Sequence, residues 1–240
     1  MQNRYAGDIG DFGKLGLLRA IAETGLRIGV NWYLVPDEKH NGNGRFTGYL
    51  RDEAFCNCDP PLWDALRHII DGNNRTVHAL ESASILDAVY YSKSLDYACL
   101  AKAERQIRRK QWHSEAIEQL GECDVIFVDP DNGLLVPSAA GTPSDVKYAF
   151  PDELMEYYRH GKTVIYYQHK ARKKDFFYCD QHRRLFMTNC DMPGLGLKFT
   201  RTSLRYYFFL LCPEHERILT ECVRKMLSSP WKDCFHMVEL

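Results

Sequence analysis

Short, continuous apolar runs alternate along this chain with segments of helical periodicity, and that alternation narrows the possible folds more than any other feature. The runs are residues 28–35 (IGVNWYLV), 75–80 (RTVHAL, ending on Glu81), 123–133 (CDVIFVDPDNG), 162–170 (KTVIYYQHK) and 204–213 (LRYYFFLLCP). Each is of strand length, and most are rich in β-branched and aromatic residues. Between them, residues 14–23, 61–70, 102–120, 151–159 and 214–226 read as helices. Continuous rather than alternating apolarity marks strands covered on both faces, as in a parallel sheet. The order therefore predicts an α/β fold with helices on both faces of one sheet. With 240 residues, 45% of them hydrophobic, the chain can bury a sizeable core, and no linker or repeat divides it, so residues 1–240 read as a single domain.

Charge excludes little globally and points to particular places. Lys+Arg 31 against Asp+Glu 32 leaves a formal net charge of -1, so nothing overall advertises a polyanion or membrane partner. Nine cysteines, an odd number irregularly spaced, and the lack of a basic-then-apolar leader predict a reducing, cytoplasmic setting. No apolar run has membrane-spanning length. Cys56 and Cys58 form a CxC without a second pair at finger spacing, which reads as a loop or as buried thiols. Arg105, Arg108, Arg109 and Lys110 read as a solvated helix face. Lys170, Arg172, Lys173 and Lys174, with Arg183 and Arg184, interleave with Phe176, Phe177 and Tyr178, a pattern suited to phosphates and unpaired bases.

In such sheets ligands collect beyond the carboxyl ends of the strands. The candidate strand ends are residues 37–45, Glu81, 129–133 and 168–170. Gly42 and Gly44 would let the backbone approach a ligand closely, and Glu81 suits ribose hydroxyls. The segment RYAGDIGDFGKLGLLRAI adds Asp8, Asp11 and Lys14 at the start of the chain. Read alone, Asp11 is an N-cap for a helix beginning near Phe12.

In order along the chain, AGDIGDFGK (Ala6, Gly7, Asp11, Lys14), HNGNGRF (His40, Gly42, Gly44, Arg45), an acid at Glu81 and DPDN (Asp129 to Asn132) form a series. It resembles the RlmJ-type 23S rRNA adenine-N6 methyltransferases, whose corresponding segments are AGNxADxxK, HAGAGRY, a strand-ending acid and DPPY. Identity outside these motifs is thin. The resemblance implies a Rossmann-like methyltransferase-type sheet, mostly parallel with a C-terminal antiparallel hairpin, binding S-adenosylmethionine. It implies that residues 1–25 fold over the cofactor cleft. Tyr5, Gly7, Asp8, Asp11, Lys14, Asp37, His40, Gly42, Gly44 and Glu81 would then face the cofactor, with Lys14 on the methionine carboxylate and the aspartates on its amino or sulfonium end. Asp129 and Pro130 would position the acceptor, a nucleic acid or nucleotide. Asp131 and Asn132 replace the second proline and the aromatic, so the base-stacking platform is lost and a carboxylate gained; Tyr148 or Phe150 could return an aromatic from the following loop. Two other readings stay open. One is a Mg²⁺-dependent nuclease or phosphodiesterase using Asp129, Asp131, Gln168 and Lys170, with His169 as general base. The other is a nucleic-acid- or nucleoside-binding module without catalysis.

Overall fold

The computed structural model describes residues 1–38, 44–171, 173–187 and 194–240. Its strands are β1 (Ile28–Asn31), β2 (Ala88–Tyr91), β3 (Val125–Val128), β4 (Gly133–Leu134), β5 (Tyr148–Ala149), β6 (Thr163–His169), β7 (Gly194–Phe199), β8 (Arg205–Leu210) and β9 (Phe235–Met237). The helices are α1 (Ile9–Ala22), α2 (Glu53–Cys56), α3 (Pro60–Asp71), α4 (Val77–Ser82), α5 (Lys102–Gln119), α6 (Pro151–Arg159), α7 (Asp175–His182) and α8 (Pro213–Leu227). A seven-stranded sheet has the order β2-β1-β3-β6-β8-β7-β9, while β4 and β5 pair separately, in parallel. Strands β2, β1, β3 and β6 are mutually parallel; β8 runs against both β6 and β7, and β9 against β7. The result is a Rossmann-like α/β sheet ending in an antiparallel hairpin.

Both faces of the sheet are covered, which is why its strands read as unbroken apolar runs. On one face Val125, Phe127, Ile165, Tyr207 and Phe209 pack with residues of α1, α3 and α8, such as Phe12, Leu66 and Val223. On the other, Ile126, Val128, Val164, Tyr166 and Phe208 pack with Trp112 of α5, Leu154 of α6 and Tyr178 of α7. The chain passes from β1 to β2 on one side and from β3 to β6 on the other, so the topological switch point lies between β1 and β3.

Several local expectations are corrected. Residues 75–80 are not a strand: Thr76 caps α4 by accepting from Ala79 N, and the parallel strand comes later, as β2. Glu81 is therefore on a helix. Strand β1 stops at Asn31, because Tyr33 turns to a positive φ of 44°. Helix α1 starts at Ile9 with Asp8, not Asp11, as its N-cap; the Asp8 carboxylate accepts from Gly10 N and Asp11 N. Arg109 does not belong to a solvated face. It is 4% exposed and its Nε lies 2.6 Å from Glu153 Oε1, tying α5 to α6. Among the described residues no helix is long and apolar enough to cross a membrane.

Candidate functional site

Beyond the carboxyl ends of β3 and β6, and beside the first residue of β8, lies a cavity of about 350 Å³. Four stretches enclose it: the N-terminal segment through Lys14, Gly44 and Phe46, the DPDN turn after β3, and the facing ends of β6 and β8. Parallel register sets the tip of β3 between its neighbours, with Asn31 opposite Val128 and Val128 opposite Tyr166.

Asp129 stands at that tip, and α1 delivers a cation to it. Lys14 Nζ lies 2.5 Å from Asp129 Oδ2 and 2.9 Å from Asp11 Oδ1, and 5.6 Å from the centre of the Trp32 ring. Asp11 Oδ2 in turn accepts from Gly7 N at 2.8 Å. All three side chains are buried. Burial works against the ammonium, but the two carboxylates outweigh it and hold the Lys14 pKa above its ordinary value. For Asp11 and Asp129 burial wins over the attraction of Lys14, and both are raised.

Met1 bridges the switch point. Its ammonium donates to Tyr33 O at 3.0 Å and Asp129 O at 2.9 Å, and pairs with Asp131 Oδ1 at 2.8 Å. Gln2 Nε2 donates to Asp131 Oδ2 at 2.5 Å. Against burial, the ammonium and Gln2 keep the Asp131 carboxyl below its usual range. The open volume thus sits one strand beyond the switch point, over β3, β6 and the start of β8.

On the far wall Tyr167 and His169 project from β6, and Ser203 and Arg205 from the β7–β8 turn and β8; His169 pairs with Arg205 in the sheet register. His169 Nδ1 is 3.3 Å from Tyr167 Oη, and burial together with the Arg205 charge lowers its pKa, leaving a neutral imidazole on the wall near pH 7. Gln168 serves the turn instead of the cavity. Its side chain accepts from Leu134 N at 2.9 Å and donates to Asn132 O at 3.1 Å, clamping DPDN where Gly133 takes a φ of 102°.

Of the residues singled out in the sequence, Tyr5, Asp8, Asp11, Lys14, Gly44, Asp129, Pro130, Asp131, Asn132 and His169 line this one cavity. Others do not. Gly7 supplies a turn (φ 80°) packed against Ile70, and Asp37 accepts from Arg4 N at 3.2 Å. Glu81 accepts from Trp32 Nε1 at 2.9 Å. Lys170 points to Asp175 on α7, Nζ to Oδ1 being 3.5 Å. His40, Gly42 and Arg172 lie outside the described residues. Lys173 and Lys174 are exposed beside α7, with Lys173 Nζ 5.4 Å from the Phe177 ring centre.

Lys14 spends two of its three ammonium donors on Asp129 and Asp11, and its remaining contact is Met1 Sδ at 3.8 Å. Asp129 and Asp131 are likewise each engaged by a cation. The side chains that the nuclease reading needs are engaged elsewhere in this structure: Asp129 with Lys14, Asp131 with the Met1 ammonium, Gln168 with the turn and Lys170 with Asp175. Gly10 and Phe46 belong to the two N-terminal motifs without a role drawn from the sequence, and sequence reading missed Met1, Tyr167, Ser203 and Arg205 altogether. Of the last four, Arg205 carried a signal, a lone charge opening an otherwise apolar strand. Compared with protein-family models and with curated proteins, the chain matches none.

Proposed function

We propose that this chain is an S-adenosylmethionine-dependent methyltransferase-like protein acting on nucleic acid or a nucleotide. One observation carries the reading: in the order β1-β3-β6-β8-β7, β8 alone is inverted, and the cavity opens at the carboxyl ends of β3 and β6 with Asp129 in its lining. The residues present fit the cofactor. The volume falls in the range of small-ligand pockets, roughly 300–1,000 Å³. Tyr5, Phe46 and Tyr167 offer ring surface to a purine, and the wall carries charge of both signs.

When bound, the cofactor would supply an electrophilic methyl group. The chain's own residues divide the remaining work. Lys14 holds Asp129 in place, and the DPDN turn is fixed by Gln168. His169, neutral on the cavity wall, is the group able to take a proton from an acceptor N–H or O–H. Outside the cavity, Phe176 is 68% exposed on α7 beside Lys173 and Lys174, and these provide stacking and phosphate contacts for a nucleic acid. Calorimetric titration with S-adenosylmethionine and S-adenosylhomocysteine tests the reading. Saturable heat with both is expected, and silence with both overturns it.

A further inference from the structure

Arg205 is 4% exposed, yet it has no carboxylate partner among the described residues. Its single hydrogen bond there goes to Ser203 Oγ, and its Nε makes none. Burial opposes its charge, and Tyr167, Tyr207, Asp8 and Asp11 outweigh that at a distance, but no carboxylate pairs with it directly, so donors remain on the cavity wall for an anion. Its immediate surroundings narrow the anion's chemistry. At Gly10 a Cβ would overlap Arg205 Nη1 and stand 2.8 Å from Asp8 Oδ1, so the guanidinium and the carboxylate share one corner of the cavity. They do not pair with each other. Asp8 Oδ1 is used as the helix cap, and Oδ2 has no hydrogen bond among the described residues. The first-turn N–H groups of α1 are spent on Asp8 and on Phe46 O, and offer nothing to a ligand.

A cation and an anion side by side, neither satisfied by the other, match a group with opposite charges one carbon apart. We infer that Arg205 and Asp8 form a zwitterion subsite for an α-amino-acid group, the carboxylate on Arg205 with Ser203 and the ammonium on Asp8 Oδ2. This deepens the proposed function and rests on it: the amino-acid end of the methyl donor goes to Arg205 and Asp8, and Lys14 is left to hold Asp129. A free amino acid carries the same chemistry.

The test compares three probes by calorimetry: S-adenosylhomocysteine, 5′-methylthioadenosine, which lacks the amino-acid end, and free methionine. Arg205→Met should weaken S-adenosylhomocysteine about 10- to 100-fold, the worth of a charge-assisted contact, and leave 5′-methylthioadenosine unchanged. Asp8→Asn should do the same; asparagine caps a helix as well as aspartate does, so this variant folds even if the first does not. Equal binding of S-adenosylhomocysteine by wild type and both variants overturns the subsite while the cofactor reading stands. Arg205-dependent binding of methionine without any of S-adenosylhomocysteine keeps the subsite and overturns the methyl donor. If none of the three probes binds the wild type, both fall.

Discussion

Lys14 shows how far one residue can be understood from its neighbours in sequence and where that understanding stops. Its position beside Asp11 was legible in GDFGK, three residues apart on one helix face. Its engagement with Asp129, 115 residues away, was not, because the pairing is made by the sheet that brings β3 under α1. The same gap explains Arg205, whose meaning depends on what does not pair with it. Since Lys14 neutralises two buried carboxylates, Lys14→Met should destabilise the protein by about 3–5 kcal/mol, the usual consequence of leaving buried charge uncompensated. Urea unfolding checks this. A loss below about 1 kcal/mol would mean that the two aspartates ionise independently of the lysine. Replacing Asp11 as well, in Lys14→Met with Asp11→Leu, should recover part of the loss.

At the scale of elements, the strands and helices with long periodic or apolar stretches were legible, and the short ones were not. Residues 75–80 have the composition of a strand, but Thr76 offers a cap and Leu80 follows Val77 at helical spacing, so the segment closes into α4. Strand β2 has only four residues, three of them half-buried, and gives little signal. Helix α1 has a feature visible in the sequence but readable only in the fold: glycines at 10, 13 and 16, one turn apart. They form a bare stripe that lets the helix lie close on Arg205, Phe199 and Trp231. A Cβ at Gly13 would come within 2.8 Å of the Phe199 ring, and one at Gly16 would overlap the Trp231 ring. Glycine inside a helix costs about 1 kcal/mol against alanine, so its use here is a packing requirement. Gly16→Ala should therefore lower stability by about 1–3 kcal/mol despite the better helix former, seen as a lower urea midpoint with an unchanged slope. A rise in the midpoint would show that Trp231 yields at no cost and that the stripe is idle.

The whole molecule builds its cavity from segments far apart in the chain, and this decides how a ligand should be felt. Residues 1–14, the turn at 129–132 and the hairpin at 203–205 meet at one opening, whereas the ion pair between Arg109 and Glu153 lies buried between α5 and α6 with no part in that wall. A ligand that touches all three walls stabilises them together, because each local opening then requires the ligand to leave. Amide hydrogen exchange should thus slow in residues 1–14, 129–132 and 203–205 at the same S-adenosylhomocysteine concentration, while α5 and α6 are unaffected. Slowing confined to the first segment would place the ligand outside the hollow and dissolve the link between fold and function. Equal slowing everywhere would instead report a general gain in stability, with the three walls no longer distinguished from the rest of the sheet.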